Sequence, residues 1–354
     1  MKQPETMSSE LIKRVEKMIR AKKETKSDFV ENFGHINPPM AIRSENNDVI
    51  FALDGKVYLR TNGSSYNFAN IIHDNALIAL GIDFFKQGLT KPFEKLHPII
   101  QWFSSVHSFD DNIIKPIHLG HRDAWYRLAY DLYTIRDNAT LKEQLKKRLI
   151  NPLTFQGARH ELRVAAICVA AGFNLDFQDE SDGNSTHPEF IAADKFSSNK
   201  IAVEAKSRHR NGILGFTEGK IEEHGNSVKA KSLVTKAYKK ASEIPYYIFV
   251  DVNLPPYKDE QQFKTWIKEL EDSMIDLAAA GYTNPCPANA IFFCNDPSHH
   301  VTDRALNSDT NALWIKHFIA ELPKTPHPSE KVVERIMKAF TQRVRLPEEI
   351  DFKF

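Results

Sequence analysis

Glu204 and Lys206 lie two residues apart at the end of an apolar run, residues 201–206, which has the composition of a buried strand. Side chains in a strand alternate between its two faces, so this spacing places the carboxylate and the ammonium group on the same face. Burying two charged groups in a sheet is unfavourable unless they bind something, such as a metal ion. The pair is therefore the first candidate for chemistry in this sequence.

Two further carboxylates precede this run. Glu189 opens the preceding predicted strand, directly after Pro188, and we expect it to meet Glu204 across the sheet. Glu161 lies in the first turn of an almost continuously apolar predicted helix. Two or three carboxylates beside one lysine form a site for a hard divalent cation, Mg²⁺ or Mn²⁺. Such a cation lowers the pKa of a bound water and neutralises a phosphate, while the lysine orients the water. This is the chemistry of phosphodiester hydrolysis.

The order of these elements resembles the PD-(D/E)xK, or restriction-endonuclease-like, nuclease superfamily over about residues 155–294. Positions 188–189 match the proline–acid motif of that family, positions 204–206 match its acid-x-lysine motif, and Glu161 matches its helix acid. The sequence departs from the family in having Glu189 where aspartate is common. The longer side chain could still reach a metal ion.

The resemblance implies a function and roles for these residues. Glu189 and Glu204 are expected to bind Mg²⁺ or Mn²⁺, and Lys206 is expected to assist the attacking water. Glu161 would orient the cluster. The implied substrate is nucleic acid, with DNA favoured over RNA, and the implied setting is restriction, phage defence or repair. Because such nucleases commonly need two active sites to cut both strands, a homodimer is a further expectation.

Basic residues are concentrated next to the predicted site. Residues 195–240 contain 11 lysines and arginines against 4 acidic residues, in a chain whose formal net charge is only +1. The two arginines of this segment, Arg208 and Arg210, continue the two-residue spacing of Glu204 and Lys206. They are therefore expected on the same face, where they could clamp a phosphate. A solvated helix face explains the lysines of residues 229–240 equally well. The predicted nucleic-acid-binding residues are Arg208, Arg210, Lys229 and Lys236.

Composition narrows the class of protein. The chain has 354 residues, of which 42% are hydrophobic, so it can bury a core without disulfides and is not largely disordered. The net charge of +1 gives no global argument for a nucleic-acid or membrane partner. The sequence has three cysteines without CxxC spacing, no signal peptide and no apolar stretch of about 20 residues. These features predict a cytoplasmic protein with no membrane partner.

The elements that would position the site belong to a predicted α/β domain at residues 151–324, with a restriction-endonuclease-like mixed sheet flanked by helices. Strands alternate there with helices of crossover length, which predicts parallel strands in its later half. Residues 311–320 are predicted to form a helix. Residues 1–150 are predicted to form a mostly helical recognition or partner-binding domain, with a small β-hairpin over residues 49–61 whose turn lies at residues 54–55. A C-terminal helix and tail follow at residues 325–354.

Two other classes of function remain open. A non-catalytic nucleic-acid-binding or scaffold protein would keep the nuclease fold and the basic residues without metal chemistry. A phosphoesterase acting on a small molecule would have a closed pocket and would bind polynucleotides weakly. The residues themselves also allow a plainer interpretation. Glu204 and Lys206 are compatible with a solvent-facing charge pair on an edge strand, and Glu161 with a helix N-terminal acid favoured by the helix dipole.

Overall fold

We obtained a computed structural model of the chain. It describes residues 29–43, 48–53, 56–60, 66–88, 91–106, 119–137, 139–178, 187–215, 227–240, 242–301 and 313–344. The strands are β1 (Met40–Arg43), β2 (Val49–Leu53), β3 (Lys56–Arg60), β4 (Phe173–Phe177), β5 (Phe190–Asp194), β6 (Lys200–Ser207), β7 (Tyr246–Asp251), β8 (Ala290–Asn295) and β9 (Trp314–Ile319). The α-helices are α1 (Phe68–Leu80), α2 (Ile82–Gly88), α3 (Pro98–Val106), α4 (Leu119–Ile135), α5 (Ala139–Leu149), α6 (Phe155–Ala170), α7 (Lys231–Tyr238), α8 (Glu260–Ala279) and α9 (Glu330–Gln342).

A six-stranded mixed sheet lies at the centre of the fold, with the strand order β4-β5-β6-β7-β8-β9. Strands β4, β5 and β6 are antiparallel, β6, β7 and β8 are parallel, and β9 returns antiparallel to β8. Parallel neighbours need crossover connections, and α7 and α8 lie in the two connections concerned. The predicted mixed α/β sheet flanked by helices, with parallel strands in its later half, is confirmed.

The two faces of this sheet pack against different helices. One face, which we call the α6 face, carries Val203 and Phe249 and shares a hydrophobic cluster with α6. The opposite face, which we call the α7 face, carries Ala202 and shares a second cluster with α7 and α8. Because side chains alternate along β6, Glu204 and Lys206 lie on the α7 face with Ala202.

The helices that precede residue 150 cover the α6 face. The hydrophobic cluster of that face includes Ile72 of α1, Trp125 of α4 and Leu149 of α5. At the start of α4, Gly120 approaches the loop after β8 so closely that a Cβ atom there would lie 2.0 Å from the carbonyl oxygen of Val301. Only glycine allows this approach, which fixes the position of α4 relative to the central sheet.

Strands β1, β2 and β3 form a separate, three-stranded antiparallel sheet. Its β2–β3 part corresponds to the predicted hairpin, with Leu53 paired to Lys56; residues 54–55 lie outside the described residues. The sheet is larger than predicted because β1 adds a third strand. None of the helices in the described ranges has the length and apolar character needed to span a bilayer.

The helix predicted at residues 311–320 is wrong. Trp314–Ile319 forms β9, which pairs antiparallel with β8 at the edge of the sheet. Trp314 and Phe318 pack into the hydrophobic cluster of the α7 face. His317 points the other way and stacks on Phe292, with ring centroids 6.0 Å apart. Successive side chains of β9 therefore pack on opposite faces of the sheet, as they do in a strand.

Candidate functional site

The register of β5 against β6 brings Glu189 next to Glu204. Phe190, the first residue of β5, pairs with Val203, and both side chains belong to the cluster of the α6 face. Glu189 precedes Phe190 and Glu204 follows Val203 on the antiparallel strand, so the two glutamates lie opposite each other. Alternation then directs both carboxylates to the α7 face. The structure thus brings together two of the three carboxylates singled out in the sequence.

Two lysine ammonium groups contact these carboxylates. Lys206 Nζ contacts Glu204 Oε1 and lies 3.6 Å from Glu189 Oε1. Lys240 follows α7, and its Nζ lies 2.8 Å from Glu204 Oε1 and 3.5 Å from Glu189 Oε1. We call these four residues the carboxylate–lysine cluster. Two carboxylates and two ammonium groups together carry no net formal charge.

Glu204 is the most deeply buried member of this cluster, with no exposed surface. The two lysine ammonium groups contact its Oε1, whereas its Oε2 has no hydrogen-bond partner among the described residues. Burial, and after it the nearby Glu189 carboxylate, raises the pKa of Glu204 to about 7. Burial also disfavours the charged form of Lys240, but Glu189 and Glu204 outweigh it and raise the pKa of that ammonium group. Buried carboxylate oxygens normally accept hydrogen bonds, so Oε2 of Glu204 remains available to a ligand.

Glu161 lies outside the carboxylate–lysine cluster, which differs from the expectation that it would orient these residues. It belongs to α6, whose hydrophobic cluster is on the opposite face of the sheet. Its Oε2 accepts a hydrogen bond at 2.5 Å from Nη1 of Arg148, near the end of α5. Glu161 therefore joins two helices. The helix begins at Phe155, so Glu161 lies in its second turn and not in the first turn as predicted. The face of the sheet that the helix covers was also not visible in the sequence.

A second charged cluster lies on the α6 face. Arg159 and Arg163 extend from α6, and their Nη1 atoms lie 3.1 and 2.6 Å from Oδ2 of Asp296, which follows β8. Arg159 also reaches Asp251 at the end of β7, and Arg163 reaches Asp131 of α4. This cluster joins α4 and α6 to the carboxyl ends of two parallel strands. We call it the arginine–aspartate network; its members are Arg159, Arg163, Asp131, Asp251, Asp296 and Arg343.

The four predicted nucleic-acid-binding residues divide into two pairs. Arg208 and Arg210 are buried, and each donates from Nη1 to a backbone carbonyl oxygen, at 2.8 and 3.0 Å. These guanidinium groups hold loops after β6 and β7, which differs from the expected phosphate clamp, since a clamp must be accessible. Lys229 and Lys236 are exposed. Their exposure suits a phosphate-binding surface and a solvated helix face alike.

The carboxylate–lysine cluster has part of the donor set of a divalent-cation site. Glu189 and Glu204 offer carboxylate oxygens, which Mg²⁺ and Mn²⁺ prefer as ligands. In the described part of the chain, no group of three histidine, cysteine, aspartate or glutamate side chains is placed to hold a metal ion. Mg²⁺ commonly binds through one or two carboxylates and keeps several waters. The glutamate pair therefore fits a cation whose other ligands are water and substrate.

Lys240 is the member of the cluster that the sequence did not single out. In the sequence it is one of eleven basic residues between positions 195 and 240 and belongs to no motif. A usable signal was its place near the end of the helix predicted at residues 228–242, which leads into a buried strand. A crossover helix packs over one face of the sheet on its way to the next strand. Lys240 lies at the end of this crossover, where its ammonium group contacts Glu204.

Comparisons of this chain with protein-family models, with curated proteins and with solved structures found no match.

Proposed function

We propose that this protein is a Mg²⁺- or Mn²⁺-dependent nuclease that hydrolyses phosphodiester bonds, with DNA as its preferred substrate. The observation that carries the proposal is the meeting of Glu189, Glu204 and Lys206 on one face of two neighbouring strands. The element order also supports it. An apolar helix, an antiparallel strand pair with the first acid, and a strand with the acid-x-lysine triplet follow one another, as in the PD-(D/E)xK nucleases that the sequence resembles.

Each of these side chains has a chemical role in the proposal. Glu189 and Glu204 hold the divalent cation through their carboxylate oxygens. A cation bound there lowers the pKa of a water ligand and neutralises charge on the phosphate. Lys206 orients the attacking water and stabilises the negative charge that develops on the phosphate oxygens. Its ammonium group already lies against Glu204 Oε1, so this position requires no change in the backbone.

A second candidate is a nucleic-acid-binding protein that keeps this fold without catalysis. Two observations favour it. Lys206 and Lys240 already neutralise both carboxylates, and the described residues contain no group of three metal-ligating side chains. In such a protein the exposed Lys229 and Lys236 would still contact phosphates, and binding would weaken steeply as the salt concentration rises.

A cleavage assay separates the two candidates. Single-stranded and double-stranded DNA and RNA are incubated with the wild-type protein in Mg²⁺, Mn²⁺ or EDTA, next to Glu204→Gln and Lys206→Met. Glu271 and Lys316 form an ion pair near the surface, with Lys316 Nζ 3.4 Å from Glu271 Oε1. The variants Glu271→Gln and Lys316→Met are therefore the matched controls. We expect cleavage that requires metal, falls at least about 10²-fold in both site variants and is unchanged in the controls.

The other outcomes identify the alternatives. Cleavage that survives both site substitutions would place the activity at other residues. Salt-sensitive binding to one substrate without cleavage, unaffected by Glu204→Gln, would support the non-catalytic candidate. Absence of both binding and cleavage, together with hydrolysis of small phosphate esters, would indicate a small-molecule phosphoesterase.

A further inference from the structure

Lys240 gives the carboxylate–lysine cluster a second ammonium group at an oxygen that already has one. Its Nζ lies 2.8 Å from Glu204 Oε1, the atom that Lys206 also contacts. The two lysines come from different elements, because Lys206 belongs to β6 whereas Lys240 follows α7. The proposed hydrolysis uses only the strand lysine. The position of the second ammonium group therefore needs a separate explanation.

The charge balance of the cluster supplies that explanation. Two carboxylates and two ammonium groups sum to zero, so an arriving divalent cation meets no net negative charge. Both ammonium groups also contact Glu189 as well as Glu204, which are the two side chains that would hold the cation. A cation binds strongly to this pair only when one ammonium group gives up its contacts.

The anchoring of the two lysines indicates which one leaves. Lys206 projects from β6, which is hydrogen-bonded to β5 and β7 on its two sides, and it lies two residues from Glu204 on the same strand. Lys240 is attached beyond the last residue of a short helix. The two side chains are about equally exposed, 23% for Lys206 and 24% for Lys240, so the difference between them is the element that holds each one. A flexible lysine stem at such a position can turn its ammonium group into water without disturbing the sheet.

We propose that Lys240 is an internal counter-cation that competes with the divalent ion for the Glu189–Glu204 pair. In this arrangement Lys240 neutralises the buried carboxylates while no metal is bound, and its departure makes them available. The inference rests on the proposed metal-binding function of the two glutamates. It assigns Lys240 a positioning role, distinct from the role of Lys206 toward the attacking water.

Isothermal titration calorimetry of the full chain with Mn²⁺, after removal of metal by EDTA, tests this role without reference to cleavage. We expect Lys240→Met to bind Mn²⁺ about tenfold more tightly than the wild type, because the competing ammonium group is gone. Lys240→Arg keeps a positive charge and is expected to bind as the wild type does. Lys239→Met removes an exposed charge from the neighbouring residue and provides the matched control.

The sign of the change separates competition from simple structural support. If Lys240 only held the glutamates in place, Lys240→Met would bind Mn²⁺ more weakly than the wild type, and weaker or equal binding overturns the proposal. Circular dichroism confirms that each variant is folded, and Lys240→Gln replaces Lys240→Met if the latter is not. Absence of Mn²⁺ binding in the wild type and in every variant would instead contradict the metal site itself, and with it the proposed function.

Discussion

The central sheet carries buried charges on both faces, and the two clusters differ in how their carboxylates are satisfied. In the arginine–aspartate network, Asp296 Oδ1 accepts hydrogen bonds from the hydroxyl and backbone N–H of Ser298, and its Oδ2 accepts one from Arg159. In the carboxylate–lysine cluster, Glu204 is equally inaccessible. Both ammonium groups contact its Oε1, but its Oε2 has no hydrogen-bond partner among the described residues.

This difference separates a structural cluster from a candidate functional one. A buried charge is tolerated when an opposite charge and hydrogen bonds together replace the water it has lost. The carboxylate of Asp296 meets both conditions, and the network joins α4 and α6 to the strand ends. Glu204 meets both conditions only at Oε1, because Oε2 has no hydrogen-bond partner among the described residues. Incomplete satisfaction of this kind is characteristic of positions where function has priority over stability.

Asp296→Ala is expected to have the largest effect on stability, because it breaks the network at its centre. The substitution leaves the guanidinium groups of Arg159 and Arg163 buried without their shared partner. Removing one member of a buried ion pair typically costs about 3–5 kcal/mol. Urea unfolding monitored by circular dichroism measures the loss. A change below about 1 kcal/mol would mean that the network does not hold the helices on the sheet.

Acidification is expected to have an intermediate effect on the same side of the sheet. The amide of Asn253 donates to two other acceptors, so its Oδ1 accepts from the Nε2–H groups of His299 and His300, at 3.0 and 3.1 Å. Burial, followed by the charge of Arg210, lowers the pKa of His300 to about 3. His300 is therefore neutral in the folded protein at a pH where the unfolded chain takes up a proton.

The sign of this effect follows from proton binding. As the pH falls below about 6.5, the unfolded state binds a proton at His300 that the folded state does not, so the free energy of unfolding decreases. Between pH 7 and pH 5 we expect His300 to contribute a loss of about 2 kcal/mol. His300→Gln keeps a donor for Asn253 and removes the titration. An unchanged pH dependence of urea unfolding in this variant would contradict the assignment.

The part of the site that depends on the alternation of side chains along neighbouring strands was predictable from the sequence. The spacing of Glu204 and Lys206 fixed their common face, and a turn of a few residues between two short strands placed Glu189 across from Glu204. The roles of Glu161 and Lys240 were not predictable, because they depend on which face of the sheet each helix covers. That choice is made by packing of whole helices, and a short motif carries no information about it.

The fold shows the same limit. The buried strands β7 and β8 were recognisable as continuous apolar runs between helices. The edge strand β9 was predicted to be a helix, because Trp314, Ile315, Phe318 and Ile319 also fit helical spacing over one or two turns. Its strand geometry depends on pairing with β8. The burial of Arg208 and Arg210 also depends on distant parts of the chain, since their partners are backbone carbonyls of other loops.

Glu204→Gln is expected to change stability least, although Glu204 is one of the most deeply buried polar residues described. The amide keeps the shape of the side chain. It loses the ion pairs with Lys206 and Lys240 but also removes the cost of burying a charged group whose Oε2 has no hydrogen-bond partner among the described residues, so we expect the free energy of unfolding to change by about 1 kcal/mol or less. Asp276→Asn, in the exposed pair with Lys231 at 2.9 Å, is the control for an ordinary surface pair.

A loss of about 3 kcal/mol or more in Glu204→Gln would group this cluster with the arginine–aspartate network as structural. A small change combined with lost cleavage would instead show that the charge of Glu204 serves function.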